Sequence, residues 1–306
     1  MEAVAQAARA IASGQGDFYI AGGVESMSRS PFVLPKAETA FAREATIQDT
    51  TIGWRLINPR MEARYGVDPL GITAENVAEE YGVGRADQDA MALRSQERAA
   101  RAQANGWLAR EIVPVRARRG REMVEVSADE HPRATSLEQL AKLKPAFRPD
   151  GSVTAGNSSG VNDGAAAIVV ASERAVRAHG LMPRARFLGA ASAGVAPRVM
   201  GIGPVPATMK LLDRLGLTLG ETDLIELNEA FAAQGIAVLR AQGVKEDAEH
   251  VNPNGGAIAL DHPLGMSGAR LIMTATEELV LSRRQRALCT MCIGVGQGIA
   301  SVIERV

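Results

Sequence analysis

From residue 151 onwards, short apolar runs alternate with Gly-rich turns and with segments of helical periodicity. The segment DLIELNEAFAAQGIAVLRAQG (223–243) reads as a buried strand, a polar corner and a helix. The segment RALCTMCIGVGQGIASVIERV (286–306) reads as a strand, a Gly turn and a second strand. Continuous apolar strands that alternate with helices are typical of sheets covered on both faces. The sequence therefore predicts an α/β fold with mixed, mostly parallel sheets.

The first 28 residues predict one more helix and one more strand. Apolar side chains recur at helical spacing over residues 1–12, a Gly-rich turn follows, and residues 18–21 read as a buried strand. No Ser, Thr, Asp or Asn precedes this helix to cap its free amides. Residues 29–150 differ in character, because they hold both Trp residues, most aromatic residues and several long polar segments. We interpret this stretch as an irregular insertion.

Composition excludes several classes of function. The net charge is −1 and the pI is about 6.5, so neither nucleic acid nor an anionic membrane surface is favoured as a partner. No apolar run is long enough to cross a membrane, and no signal segment opens the chain. Two cysteines among 306 residues do not build a disulfide framework, which predicts a reducing, cytoplasmic location.

Cys292 is one candidate for chemistry, because it ends an apolar run and is followed by the Gly turn GVGQG. The alternative is a small apolar core residue, which is the usual role of a free cysteine. Cys289-x-x-Cys292 also suggests a metal or dithiol site, but two residues three apart on a strand point to opposite faces. GVGQG resembles half of a dinucleotide-binding motif, yet the β-branched residues after Gly298 do not predict the helix that must follow.

Polar residues in three other segments are candidates for a site. His262 stands between glycines and before a proline, which suits a general base better than most single histidines. Asn228 and Glu229 follow a buried strand and are either a helix cap or part of a site. The turn AGNSSGVNDG (155–164) can bind an amide-bearing ligand or can be only a turn. The remaining histidines, which lie in polar surroundings, are predicted to be on the surface: His131, His179 and His250.

Taken together, these segments resemble the thiolase family over essentially the whole chain. The resemblance rests on AGGVESMS, TAENVA, GNSSGVNDG, NEAFAAQ, NPNGGAIALDHPLGMSGAR and CTMCIGVGQG, which occur in the family's order. The stretch TTIGWRLINPRMEARYGVD and the last 20 residues look most similar to degradative 3-oxoadipyl-CoA (β-ketoadipyl-CoA) thiolases. This implies CoA-dependent cleavage of a 3-oxoacyl-CoA, with acyl-CoA and CoA as partners and no metal or covalently bound cofactor.

The resemblance also implies a thiolase-like fold with layered α-β-α-β-α halves. Residues 1–28 and 161–180 would be the remnant of a truncated N-terminal thiolase domain. Residues 29–160 would form an inserted loop domain that binds substrate and CoA, and residues 181–306 the C-terminal domain. The intact family form implies a homodimer or a homotetramer.

In thiolases the helix that matches residues 1–12 follows a Cys-Gly-Ser-Gly motif, whose Cys accepts the acyl group. A thiol at a helix N-terminus has a lowered pKa, because unpaired amides and the helix dipole favour the thiolate. We therefore expect the nucleophile to precede Met1, and we expect the chain to be inactive without it. Both cysteines of this chain belong to the second half and cannot replace it. The alternative is a non-catalytic acyl-CoA-binding protein or a thiolase-like subunit of a hetero-oligomer.

The resemblance assigns a role to each matched position. His262 would take the proton of the nucleophilic thiol, and Cys292 would protonate the acetyl-CoA enolate. His262 and a water held by Asn228 would form one oxyanion hole, and the Gly294 amide would contribute to a second. The CoA and substrate positions are Ser159 and Phe147 beside the pantetheine arm, Arg133 near the nucleotide, and Leu70 over the substrate.

Two further expectations concern charge. Arg55 and Arg60 could bind a distal substrate carboxylate, since they lie in the segment that resembles the 3-oxoadipyl-CoA enzymes. Thiolases usually have Gly before the histidine of their GHP motif, whereas this chain has Asp261. The carboxylate either raises the pKa of His262 or faces solvent without effect.

Overall fold

A computed structural model describes all residues, 1–306. The helices are α1 (Glu2–Ala12), α2 (Pro59–Tyr65), α3 (Leu70–Glu80), α4 (Arg85–Ala104), α5 (Leu137–Ala141), α6 (Glu173–His179), α7 (Pro204–Leu215), α8 (Ala232–Ala241), α9 (Ala257–Leu260) and α10 (Leu264–Ser282). The strands are β1 (Phe18–Ser26), β2 (Phe32–Val33), β3 (Gln48–Asp49), β4 (Val115–Arg119), β5 (Glu122–Val126), β6 (Asp163–Ala171), β7 (Ala185–Gly194), β8 (Leu224–Leu227), β9 (Arg286–Ile293) and β10 (Gln297–Arg305). Helices and strands alternate as the sequence predicts, and the α/β class is confirmed.

The main sheet has the strand order β7-β10-β9-β8. β10 is antiparallel to both of its neighbours, and only β8 and β9 run parallel, with Leu224 opposite Ala287 and Leu227 opposite Thr290. The prediction of mostly parallel sheets is therefore wrong. Continuous apolar runs report that both faces of a strand are buried, and they carry no information about strand direction.

Helices cover both faces of this sheet. Ile225, Leu227, Leu288 and Val302 face a core shared with helices α3, α4, α7 and α8. Residues next to them in the sequence face a second core, which is formed with α1 and α10: Leu224, Ala287, Cys289, Ile299 and Ile303. This alternation is the period-2 pattern of strand side chains, and it produces three layers, helix on sheet on helix.

A second sheet pairs β1 with β6, antiparallel, from Phe18 opposite Ala171 to Ser26 opposite Asp163. Ala21 is buried against the α1 and α10 layer, whereas Ile20 and Val24 on the other face are 74% and 72% exposed. The predicted burial of residues 18–21 is therefore only half right, because one face of the strand is covered. The pairing brings residues 1–28 and 161–180 together, and the assignment of domains stays a prediction.

Residues 29–160 hold four short strands, β2 to β5, which pair with one another and not with the two larger sheets. The basic run 116–121 lies in the hairpin β4–β5, which turns at Gly120. Helices α3 and α4 lie across the main sheet's helical layer and contribute Val77 and Met91 to its core. None of the helices combines the length and the apolar character that a membrane crossing requires.

Candidate functional site

The carboxyl ends of the parallel pair β8–β9 bring the first candidate residues together. Asn228 directly follows β8, and its backbone N–H donates to the carbonyl of Thr290 on β9, at 3.0 Å. Cys292 lies two residues after Thr290 on the same face of β9. Carboxyl ends of adjacent parallel strands are where α/β proteins commonly bind ligands. The local sequence therefore delivers an amide and a thiol to one edge of the sheet.

His262 meets Asn228 at this edge. Its Nε2 atom is 3.2 Å from Asn228 Nδ2, and its Nδ1 atom is 2.6 Å from Ser267 Oγ. The Ser267 hydroxyl donates to the Pro263 carbonyl at 3.0 Å, so its oxygen is left to accept from Nδ1–H. The proton on Nδ1 leaves a lone pair on Nε2, which accepts from the Asn228 amide. The imidazole is thus held in the tautomer whose Nε2 can take a proton.

Burial determines the charge state of this imidazole. His262 is 7% exposed. Burial and, second, the positive charge of Arg270 lower the pKa of His262 to about 4. The imidazole is therefore neutral at pH 7 and can act as a base. Of the two outcomes considered for Asp261, an increase in this pKa is wrong, because burial dominates.

The two cysteines point to opposite cores, as strand geometry predicts. Cys292 belongs to the core with α8, whereas Cys289 belongs to the core with α1 and α10. They cannot chelate one metal ion or form a dithiol pair without rotation of the strand. Burial raises the pKa of Cys292 to about 12 and raises the pKa of Cys289 still further. Cys292 is therefore a protonated thiol at neutral pH, suited to donating a proton.

The turn after Cys292 leaves room in front of the backbone. Gly294 is exposed, and a Cβ atom there would meet no other atom within 4 Å. β10 follows this turn as a strand, which excludes the dinucleotide interpretation of GVGQG because that motif requires a helix.

The N-terminal end of α1 packs against α10 next to Ser267. A Cβ atom on Gly268 would overlap the Met1 amine, so α1 starts against the α10 residue next to Ser267. The first amides of an α-helix have no intrahelical partner, and the dipole makes this end favourable for an anion. The structure thus places the open end of a helix one residue away from the serine that holds His262.

Glu229 organises the loops around the site, which answers whether the Asn228–Glu229 corner is only a helix cap. Its carboxylate accepts from Ser95 Oγ at 2.6 Å, from Asn252 Nδ2 at 2.8 Å and from the Ile258 amide at 3.3 Å. It therefore ties α4, the 252 loop and α9 to the end of β8. Sequence reasoning named neither Asn252 nor Ser95, because each lies far from its partner Glu229 along the chain.

Ser267 is the other residue that sequence reasoning missed. The spacing in the sequence could have indicated it. His262 and Ser267 are five residues apart, on either side of a proline and the first turn of α10, so their side chains can meet. This spacing alone does not say which ring nitrogen is held.

Three of the four predicted CoA and substrate positions converge on the same corner. Ser159 donates from both its backbone N–H and its hydroxyl to the Ala230 carbonyl, at 3.0 Å each. The rings of Phe147 and Phe231 meet edge to face, with centroids 6.1 Å apart. A Cβ atom on Gly71, next to Leu70, would overlap the Phe147 ring. Leu70, Phe147 and Ser159 therefore line up beside the end of β8.

Arg133 reaches the site through His131. Nη2 of Arg133 is 2.8 Å from Nε2 of His131, and Nδ1 of His131 is 2.7 Å from Oδ1 of Asp261. The His131 and Asp261 side chains are only 14% and 12% exposed. The prediction that His131 lies free on the surface is thus wrong, and so is the alternative that Asp261 faces solvent.

Arg55 and Arg60 are not brought into this arrangement. Nη1 of Arg55 donates to the Gly53 carbonyl at 2.7 Å, within its own loop, and Arg60 lies exposed in the first turn of α2. Contact of either residue with a substrate carboxylate stays a prediction. No group of three or more His, Cys, Asp or Glu side chains is placed to hold a metal ion.

Comparison with known proteins covers both halves of the chain. The model of the thiolase N-terminal domain matches residues 1–174, and that of the thiolase C-terminal domain matches residues 181–305. The beta-ketoadipyl-CoA thiolase of Pseudomonas knackmussii is 63% identical over 307 residues, which cover 100% of this chain and 77% of that protein. The 3-oxoadipyl-CoA/3-oxo-5,6-dehydrosuberyl-CoA thiolase of Escherichia coli K12 is 59% identical over 308 residues, with the same coverage.

Two solved structures share the fold. The Bacillus anthracis acetyl-CoA acetyltransferase superposes with a TM-score of 0.92 at 41% identity, and human mitochondrial 3-ketoacyl-CoA thiolase with 0.92 at 38%. Each comparison covers 100% of this chain and 76% of the solved chain.

Proposed function

The chain belongs to the thiolase family, an acyltransferase family with CoA as co-substrate, and we propose that its reaction is the cleavage of 3-oxoadipyl-CoA to acetyl-CoA and succinyl-CoA. The substrate assignment is supported by the names of the relatives that share 57–63% of its residues. A cytoplasmic location and a homodimer or homotetramer belong to the same proposal.

The observation that carries the mechanism is the pair of contacts to His262. With Nδ1–H bound to Ser267, Nε2 takes the proton of the attacking thiol, whose thiolate adds to the 3-oxo carbon. The protonated Nε2 then becomes a donor toward the substrate thioester oxygen. One proton transfer thus converts the imidazole from a base into part of an oxyanion hole.

Cleavage of the bond between C2 and C3 leaves an acyl-enzyme and the enolate of acetyl-CoA. The Cys292 thiol, kept protonated by burial, gives its proton to the enolate carbon. The thiol of incoming CoA returns a proton to Cys292 as its sulfur takes the succinyl group, and the released nucleophile thiolate regains its proton from Nε2 of His262. Asn228 Oδ1 is buried without a protein partner and would accept from a water that faces the oxyanion. Each such donor typically lowers the barrier by about 3 kcal/mol.

Acyl transfer needs one thiol besides Cys289 and Cys292. Cys289 faces the opposite core, and Cys292 is assigned to the enolate, so neither can hold the acyl group. The family's Cys-Gly-Ser-Gly motif does not occur within residues 1–306, and α1, the helix that this motif precedes in thiolases, begins beside Gly268 of α10. We therefore propose that these 306 residues alone perform enolate chemistry but not acyl transfer.

Two assays of the purified 306-residue chain test this proposal. The first follows exchange of deuterium out of CD3-labelled acetyl-CoA by mass spectrometry, a half-reaction that requires no acyl-enzyme. We expect exchange above the rate of the Cys292→Ala chain, and a rate that rises about tenfold per pH unit from pH 7 to pH 9, because the thiolate fraction does. The second follows CoA-dependent cleavage of 3-oxoadipyl-CoA by chromatography, and we expect none.

Each result separates the alternatives. Cleavage by the chain alone would contradict the need for a further thiol. CoA binding without exchange would favour a non-catalytic acyl-CoA-binding subunit. If His262→Ala exchanged deuterium as fast as the wild type, His262 would not be part of the oxyanion hole. His250→Ala, which changes a histidine outside the site, is the control.

A further inference from the structure

A cavity of about 680 Å³ lies between the two larger sheets and has no part in the proposed mechanism. It is lined by residues of β6 and of the start of β7, each of which is the last strand of its sheet. None of the site residues Asn228, His262 and Cys292 lines it. Small-molecule sites in proteins typically measure about 300–1,000 Å³, so the cavity has the size of a ligand site.

Two helices contribute apolar side chains to this cavity. α1 contributes Val4, Ala8 and Ile11, and α10 contributes Ile272 and Met273. Positions i, i+4 and i+7 lie on one face of a helix, so the three α1 residues form a continuous apolar stripe. An apolar chain can therefore lie along α1 inside the cavity.

The cavity is open to solvent, and large apolar side chains of its lining are exposed there. Phe18 is 48% exposed, Val169 56%, Leu181 36% and Met182 90%. A group of exposed apolar side chains around one concavity is typical of a binding site rather than of an ordinary surface. A ligand in the cavity would remove part of this apolar surface from water, which favours binding.

The ionisable residues of the lining leave an excess of positive charge. They are three arginines and two glutamates: Arg110, Arg184, Arg186, Glu111 and Glu277. Burial raises the pKa of Glu111 to about 7, so this carboxyl is only partly ionised at neutral pH. The cavity therefore favours an anionic ligand over a cationic one.

Glu277 brings two of these arginines together. Its Oε2 atom is 2.5 Å from Arg184 Nη2, and its Oε1 atom is 3.8 Å from Arg110 Nη1. Glu277 is buried, whereas both arginines are exposed. Each guanidinium has five N–H donors, and neither arginine forms an ion pair with any other residue. The two arginines thus keep donors for a ligand carboxylate, which a guanidinium binds with two parallel hydrogen bonds.

We propose that this cavity binds an amphiphilic carboxylate, with its apolar chain along α1 and α10 and its carboxylate on Arg110 and Arg184. Charge complementarity and the apolar stripe of α1 together select this class of ligand. The site is separate from the proposed acyl-transfer chemistry, because no residue of the candidate active site lines it.

Calorimetric titration of the 306-residue chain with decanoate tests the proposal. We expect saturation at one decanoate per chain, with an affinity about fourfold higher per methylene from octanoate to decanoate, because each methylene buries further apolar surface. Decanol has the same chain without the charge and should bind at least about tenfold more weakly, since the arginines lose a charged acceptor. An excess of CoA should not displace decanoate.

Two substitutions locate the ligand. Ala8→Trp fills the cavity from α1 and should weaken decanoate binding at least about tenfold, because the indole takes the place of the chain. Ala3→Trp, at an exposed position of the same helix, should leave the affinity within about twofold of the wild type.

Arg184→Gln should weaken decanoate binding about tenfold and leave decanol binding unchanged, because only the carboxylate loses a partner. Arg198→Gln also removes an exposed arginine from an ion pair, with Glu80, but lies outside the cavity and is the matched control.

The proposal is wrong if the wild type does not bind decanoate, or if folded Ala8→Trp binds it as tightly as the wild type. It is also wrong if sedimentation velocity shows a dimer that Ala8→Trp dissociates and Ala3→Trp does not, because a second copy would then occupy the cavity. Should urea denaturation show that Ala8→Trp does not fold, Arg184→Gln decides, and equal losses for decanoate and decanol in that variant would overturn the assignment.

Discussion

The two larger sheets of the molecule are built from similar residues and differ in what covers them. β8 is buried at every position, and β10 is buried over six consecutive residues. β1 and β6 are also rich in Ala, Val and Ile, yet their residues alternate between covered and exposed positions. The main sheet lies between two helical layers, whereas the β1–β6 pair rests on α1 and α10 alone.

This difference explains where the chemistry lies. Burial raises the pKa of Cys292 on β9 and lowers that of His262 in the loop before α10, and each shift favours the neutral form that the proposed mechanism needs. The β1–β6 pair has no comparable group on its exposed face. α10 contacts both sheets, and its residue Ser267 holds His262.

The sharpest contrast lies within the main sheet, between its two cysteines. Cys292→Ala should lower the acetyl-CoA exchange rate roughly 10²–10⁴-fold, the usual contribution of a general acid–base group. Cys289→Ala, on the opposite face of the same strand, should change the rate by less than about threefold. Mass spectrometry of labelled acetyl-CoA measures both, and equal losses in the two variants would contradict the assignment of the site to one face.

Substituting one isoleucine in each sheet compares how much burial stabilises the two sheets. Ile225 on β8 is 1% exposed, and Ile225→Ala should lower the free energy of unfolding by about 2–5 kcal/mol. Ile20 on β1 is an exposed residue, and Ile20→Ala should change that free energy by no more than about 0.5 kcal/mol. Urea denaturation measures both values. A large loss for Ile20→Ala would mean that the outer face of β1 is covered in solution.

The pH dependence of stability should also follow burial in the main site. An imidazole in the unfolded chain titrates near 6.5, whereas burial lowers the pKa of native His262 to about 4. The unfolded state binds more protons between these values, so stability that is full above pH 6.5 is lost as the pH falls toward 4. Between pH 7.5 and pH 5 the wild type should lose about 2 kcal/mol more than His262→Gln. Parallel pH profiles would show that native His262 is not buried.

A substitution of Ser267 tests whether α10, which contacts both sheets, fixes the tautomer of His262. Ser267→Ala removes the partner of Nδ1 and should cost about 1–3 kcal/mol of stability, because a buried donor loses its acceptor. The exchange rate should fall roughly tenfold, since the Nε2 tautomer is no longer fixed. Thr276→Ala is the control, because Thr276 bonds only to its own helix at the Ile272 carbonyl. An unchanged exchange rate in Ser267→Ala would contradict the tautomer assignment.

Sequence reasoning found the residues of the site better than it found their contacts. His262, Asn228 and Cys292 stood out because each occurs where glycine, proline or the end of an apolar run interrupts a regular pattern. Asp261 and His131 were misjudged because they are 130 positions apart, and no local pattern shows that they meet. The same holds for Glu229 and Ser95, whose hydrogen bond spans 134 positions.

The sequence by itself determined the α/β class, the order of the elements and the family, because apolar periodicity, glycine turns and short motifs are local properties. Only the tertiary structure decided strand direction, which face of β1 is covered, which nitrogen of His262 is basic and what Asp261 contacts. These depend on neighbours brought together by packing, and the energy of a buried hydrogen bond or charge depends on the groups that surround it rather than on those adjacent in the chain.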